Sequence, residues 1–199
     1  MGWFGPSKNE VWQQLCHEIG AEFVAGGFWR GSKVQAHVFS WTITLDTYTV
    51  STGHSSETFT RMRAPFVNPE GLRFTIYRKG FFSDLGKLLG MQDIEIGDTE
   101  FDEAFILKGN NESRVRDLFS RPRLRELLLA QPRLRLQIKD DEEWLRKRFP
   151  ESVDELYFQA SSVIRDIERL KGLFDLFAEA LDQLCLVGSA TRDQPGVEI

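Results

Sequence analysis

Three arginines, Arg61, Arg63 and Arg73, have the residue type and spacing that best suit ligand chemistry. The pattern predicts strands over 56–63 and 71–78, and a hairpin between them would put each set of alternating side chains on one face. If the two faces coincide, three guanidinium groups would be able to bind a phosphate, a lipid headgroup or an acidic peptide. The alternative is a solvated face whose arginines pair with nearby carboxylates.

A group of carboxylates suggests a divalent-cation loop, because hard cations prefer several oxygen ligands close together. The group comprises Asp93, Glu95, Asp98, Glu100, Asp102 and Glu103. A calcium loop started at Asp98 would need Gly where Glu103 stands and Glu where Gly109 stands. The spacing therefore predicts no metal site, and the alternative is an acidic turn that faces water or arginines.

The histidines His17, His37 and His54 lack any spacing typical of a zinc site, and no G-x-S-x-G turn accompanies them. Phosphate-binding glycine motifs are also missing from the sequence, so no cofactor is predicted. A small hydrolase remains a distant hypothesis.

An arginine-rich block spans residues 111–150. Interleaved basic and aromatic residues of this kind bind single-stranded nucleic acid or anionic membrane surfaces in some proteins. Arg114, Arg121 and Arg125, however, fall at helical spacing opposite apolar residues, which is typical of a solvated helix face. The net charge of −5 also argues against nucleic acid as a partner, whereas peripheral membrane contact stays open.

The composition predicts a soluble, folded chain, with 41% hydrophobic residues among 199. Cys16 and Cys185 lie far apart with no metal-binding companions, which favours a reduced, cytoplasmic setting. No secretory signal or membrane-spanning apolar run is evident.

Helix signals occur at both ends of the chain. Ser7 and Glu10 form a capping box that predicts a helix over 7–19, and Asp166 begins a strongly amphipathic pattern over 166–187. Two short helices are predicted over 112–119 and 122–130. The broad apolar stripe of the last helix must dock on the sheet or on a second copy of the chain.

Strand signals dominate 21–108. The predicted strands cover 21–28, 33–40, 42–50, 56–63, 71–78, 94–96, 101–108, 133–139 and 156–164. Short connections favour an antiparallel meander. We therefore expect a single α+β domain over 1–188, in which a bent antiparallel sheet is covered by the C-terminal helix and the short helices, followed by a flexible tail over 189–199.

The segment 97–111 carries a family resemblance. Its acidic residues, Phe101, Asp102, Phe105 and the turn at Asn110 resemble bacterial domains of unknown function. In those domains a strand of the form acidic-x-x-Phe-(Asp/Glu)-x-x-Phe leads to an Asn or Asp turn, two short helices and another strand. The resemblance implies a fold and says nothing about activity. Separately from it, strand, turn and helix-start signals meet within 94–111, which places this segment at the joint between the strand-rich 21–108 and the helix-rich 109–188.

The leading hypothesis is a non-enzymatic bacterial interaction or scaffold domain, whose partner is another protein or a second copy bound through the 166–187 helix. The alternative is a module for an anionic ligand that uses Arg61, Arg63 and Arg73.

Overall fold

A computed structural model describes residues 5–27, 31–51, 53, 55–80, 92–139, 149–197 and 199. In these ranges the strands form one sheet in the order β1-β2-β3-β4-β9-β8-β5-β7-β6, and every neighbouring pair is antiparallel. The strands are β1 (Glu22–Val24), β2 (Lys33–Val38), β3 (Trp41–Ser51), β4 (Ser56–Val67), β5 (Phe74–Arg78), β6 (Gln92–Asp93), β7 (Phe105–Gly109), β8 (Arg135–Lys139) and β9 (Val153–Ser161). The α+β prediction with a bent antiparallel sheet is confirmed.

The meander prediction holds only for β1 to β4. The predicted hairpin between β4 and β5 is wrong, because β4 pairs with β3 and β9, whereas β5 pairs with β7 and β8. Asn68 explains the separation: its backbone N–H donates to Ser152 O at 2.7 Å, and its side-chain amide holds Leu72 and Asp154. The chain after β4 is thereby turned away, and the late strand β9 takes the place beside β4.

Five helices accompany the sheet in the described ranges. They are α1 (Lys8–Ile19), α2 (Thr99–Ala104), α3 (Glu112–Phe119), α4 (Pro122–Leu129) and α5 (Ile167–Leu186). The predicted caps are present, since Ser7 and Glu10 form the capping box of α1, Asn111 caps α3 and Asp166 caps α5. The strand predicted to begin at 101 is wrong in its first half, because the Asp98 carboxylate accepts from Phe101 N at 3.1 Å and starts α2 there.

The core lies between one sheet face and the helices, and the apolar stripe of α5 is part of it. Its members Leu170, Leu173, Phe177 and Leu181 are fully buried, and α5 contacts α1, α3 and α4. The stripe is therefore buried within the chain, and apart from the exposed Leu186 the side of α5 left for a second copy is mainly polar. Binding of a partner through this helix stays a prediction.

The strand predicted over 133–139 is present as β8, and its Gln137 is buried. The predicted flexible tail begins with packed residues, since Ser189 and Ala190 are buried and Thr191 N donates to Val67 O at 3.2 Å.

The 94–111 segment does join sheet to helices. A Cβ on Gly109 would lie 2.7 Å from Val115 Cγ2 and 3.1 Å from Arg73 O, so β7 and α3 meet only because this residue has no side chain. Asn110 then fixes the neighbouring loop, with its side chain accepting from Arg73 N at 2.8 Å and donating to Gly71 O at 2.8 Å.

Candidate functional site

Arg61 and Arg63 lie side by side on one face of β4, as the alternation predicted. Both contact Asp46 on β3: Arg61 donates through two nitrogens at 2.8 and 2.7 Å, and Arg63 through Nη2 at 2.7 Å. The hydroxyls of Tyr48 and Tyr157 both donate to Gln159 Oε1, at 3.0 and 2.9 Å. These residues form a continuous polar patch, which we call the Asp46 network.

The charges of the Asp46 network are coupled. Burial on its own would raise the pKa of Asp46, but hydrogen bonds and charge from Arg61 and Arg63 outweigh it and hold the pKa below its ordinary value. Burial, together with the neighbouring Tyr48, raises the pKa of Tyr157 and keeps that hydroxyl protonated. Two guanidinium groups share one carboxylate, and Arg63 Nε is buried without an acceptor among the described residues.

Arg73 does not join them. It pairs with Asp154, which also accepts from Asn68 Nδ2 at 2.6 Å. Asp154 is opposite Phe66 in the sheet register, whereas Arg63 is opposite Tyr157. Since side chains alternate along a strand, Asp154 faces the other side of the sheet from the Asp46 network. The three arginines therefore lie in two places, and anion binding stays a prediction for Arg61 and Arg63.

The arginine-rich block is largely engaged within the fold. Arg114 pairs with Glu70, Arg116 with Glu112, and Arg125 with Asp98 at 3.2 Å. Residues 146–148 of the block lie outside the described residues.

The acidic segment serves local structure. Asp102 accepts from the backbone N–H groups of Ile96 and Gly97 at 3.1 and 2.9 Å, and Asp93 pairs with Lys108 at 2.9 Å. Across the described residues, no three potential metal ligands of the His, Cys, Asp or Glu type lie together.

The histidines lie apart. His17 is exposed near the end of α1, and His37 is exposed on β2, where its ring contacts the Thr42 hydroxyl at 3.1 Å. His54 lies outside the described residues. These positions give no support to a hydrolase.

A feature that the sequence did not predict lies at the β2–β3 turn. Val38 pairs with Trp41, so Phe39 and Ser40 form a two-residue hairpin loop. Phe39 has φ 54°, a left-handed conformation that favours glycine, and its side chain is 70% exposed. The Ser40 hydroxyl and the Trp41 indole N–H are buried with no partner among the described residues. Three features of the turn are thus locally unfavourable: the φ of Phe39, the buried Ser40 hydroxyl and the buried Trp41 N–H.

An open groove of about 340 Å³ runs beside this turn, and we call it the Phe39 groove. It is bounded by the hairpin loop and by the exposed sides of α4 and α5. Its lining residues are Val38, Phe39, Arg123, Leu127, Asp175, Ala178, Glu179 and Asp182. Three carboxylates from α5 stand against one arginine from α4, so the groove has an apolar floor and an acidic rim.

Arg192, from the segment after α5, contacts two of the residues that line this groove. Its guanidinium lies 4.6 Å from the centre of the Phe39 ring and donates to Asp182 Oδ1 at 2.6 Å. Both members of the ion pair are partly exposed, at 56% and 33% of their side chains. Such a pair is weak and easily exchanged.

Comparison with known proteins adds the fold alone. No family model matches the chain, and no curated protein matches it, so the family resemblance of 97–111 stays a prediction. A crystal structure of the mycobacterial trehalose monomycolate transport factor A, TtfA, is similar, with a TM-score of 0.53 and 8% identity over 89% of this chain and 94% of that one. None of the helices in the described ranges combines the length and the apolar composition needed to cross a bilayer.

Proposed function

We propose that this protein is a non-enzymatic, cytoplasmic bacterial interaction domain that binds a segment of a partner protein in the Phe39 groove. The observation that carries the proposal is Phe39 itself. Phe39 remains 70% exposed even with Arg192 over its ring, and its backbone conformation costs about 1 kcal/mol for a residue other than glycine. Aromatic anchors beside a shaped groove are typical of binding hot spots.

The groove walls agree with an interaction role. Val38, Leu127 and Ala178 offer apolar contact, and the rim supplies charge for orientation. The similar structure is described as a transport factor. That description is compatible with a role in binding other components, and it names no ligand for this chain. The two unpaired cysteines, Cys16 and Cys185, support the cytoplasmic setting.

The proposal is tested by selecting random peptides displayed on phage against the immobilised wild-type chain and then measuring their affinity for variants. We expect selected peptides to lose at least about tenfold in affinity for Phe39→Gly, as for a hot-spot residue. The matched control is Val50→Ser, which removes another exposed apolar residue at the opposite end of β3 and should leave affinity unchanged. Selected peptides that bind Phe39→Gly as tightly as wild type would overturn the proposal, as would a selection that enriches nothing.

A second candidate function is anion binding at the Asp46 network. It is favoured by the two guanidinium groups that share Asp46 and by Arg63 Nε, which is buried without an acceptor among the described residues. We expect titration with inorganic phosphate to shift the NMR signals of the Arg61 and Arg63 side chains, with weaker binding at higher salt and in Arg63→Gln. Vesicles containing phosphatidylserine provide the lipid arm. Absence of any salt-dependent shift in both arms would remove this candidate.

A further inference from the structure

The groove's own geometry specifies the chemistry of its ligand. Resting on the function proposed above, we infer that the partner segment inserts an arginine side chain between the Phe39 ring and Asp182, at the position that Arg192 occupies in the free chain. Arg192 thus acts as an internal competitor. The partner is a protein segment that carries an arginine next to an apolar residue.

The first argument is charge. Asp175, Glu179 and Asp182 follow one another along the outer side of α5; among the described residues that line the groove Arg123 is the only cation, and Arg192 pairs with Asp182. Arg123 is already in contact with Glu126, at 3.6 Å. The rim therefore attracts a cationic segment and repels an acidic one.

The second argument is the choice of arginine over lysine. A guanidinium is planar and weakly hydrated, so it stacks on an aromatic face while its nitrogens still donate to a carboxylate. Arg192 makes both contacts at once, on Phe39 and on Asp182. A lysine ammonium would have to give up one of the two or hold them with poorer geometry.

The third argument is how Arg192 reaches the groove. The chain leaves α5 through the buried Ser189 and Ala190, and Thr191 N is held by Val67 O at 3.2 Å. Arg192 is thus delivered by a short segment that is anchored just before it, while its own contacts are partly exposed. Its contacts with Phe39 and Asp182 lie outside the core, and its further contact, with the thiol of Cys185, is with a residue that is only partly buried.

The floor beside Arg192 remains open to a second contact. Val38, Leu127 and Ala178 line the groove and would accept an apolar side chain next to the inserted arginine. Burial of an aliphatic side chain there would add an apolar contact that Arg192 alone does not make. A partner segment is thereby able to displace Arg192.

The test uses the full chain and two immobilised pools of short random peptides, one with arginine fixed at the centre and one with glutamine. We expect the arginine pool to retain more wild-type chain than the glutamine pool. Because Arg192 competes for the contacts with Phe39 and Asp182, Arg192→Ala should raise the apparent affinity by roughly two- to tenfold. The control Arg116→Ala removes another half-exposed arginine, which pairs with Glu112 on α3, and it should leave the affinity unchanged.

The outcomes separate this inference from the proposed function. Binding that depends on Phe39 but is equal for the two pools, or is unchanged in Arg192→Ala, would overturn the inference and leave the interaction role standing. Retention on neither pool, together with a failed phage selection, would overturn both. A concentration-dependent dimer seen by light scattering and abolished by Phe39→Gly would replace the partner protein with a second copy and would also contradict the inference.

Discussion

Two turns at the ends of strands in this sheet differ in how well their residues suit the backbone they adopt. At Gly109 and Asn110, glycine stands where a side chain would collide, and the asparagine amide satisfies the loop beside it. At Phe39 and Ser40, a bulky residue takes a left-handed conformation and buried polar groups lack partners among the described residues. The residues of the first turn therefore suit the backbone they adopt, whereas those of the second turn do not.

The contrast teaches where function is to be sought. Strained backbone conformations and unpaired buried polar groups are retained in proteins where function requires them, and they concentrate at functional sites. The acidic segment around 94–111 contains five carboxylates, of which Asp98 accepts a backbone hydrogen bond at a helix cap and Asp102 accepts two at a turn. The Phe39 turn contains few residues whose type suits chemistry, yet it leaves Phe39 70% exposed.

The largest effect is expected at Asp154, which supports the Gly109 turn by holding the loop that Asn110 contacts. Asp154→Ala would leave Arg73 and the buried Asn68 without their carboxylate. Removing one partner of a buried pair costs about 3 to 5 kcal/mol. Urea unfolding should show a loss of at least about 2 kcal/mol after allowance for partial exposure of Arg73. Asp93→Ala, which removes an exposed carboxylate paired with Lys108, should cost far less. Equal effects of the two variants would show that this corner does not need complete pairing.

A somewhat smaller loss is expected for Gly109→Ala. The new Cβ would approach Val115 and the Arg73 carbonyl, and overpacking of this kind costs about 1 to 3 kcal/mol. The control is Gly27→Ala, where an added Cβ meets nothing within 4 Å. Thermal unfolding of both variants measures the difference, and a Gly109→Ala variant as stable as wild type would contradict the close packing of β7 on α3.

The Asp46 network gives a pH-dependent effect. The pKa of Asp46 is lower in the folded chain than in the unfolded chain, so its contribution is complete above the unfolded pKa of about 3.9 and is lost as the pH falls through the lower folded value. The difference in unfolding free energy between wild type and Asp46→Asn should therefore shrink below about pH 4. A difference that stays constant down to acidic pH would mean that Asp46 is not stabilised as an anion.

Much of the fold was predictable because its signals are local. Caps at Ser7, Asn111 and Asp166 and the apolar period of α5 depend only on neighbouring residues, and they appear where expected. The partner of β4 was not predictable in the same way. That pairing depends on hydrogen bonds from Asn68 to residues more than eighty positions later in the chain. A short-range sequence pattern contains no information about such a contact.

The candidate site was less predictable than the fold. Arginines at 61 and 63 were correctly placed on one face, because strand alternation is local, but Arg73 depended on the strand pairing and lies elsewhere. The Phe39 turn has no Gly, Asn or Asp to announce it, so 33–40 looked like uninterrupted strand. The usable signal was the lack of room for any turn between the strands predicted to end at 40 and to begin at 42.

The smallest effect on stability is expected at Phe39, and it tests the central claim most directly. Urea unfolding and peptide titration should be measured together on Phe39→Gly. Glycine relieves the left-handed φ but loses the contacts with Trp41 and Arg192, so the unfolding free energy should change by no more than about 1 kcal/mol while peptide affinity falls at least about tenfold. A loss of several kcal/mol in stability with unchanged peptide affinity would show that Phe39 serves the fold and would contradict the account.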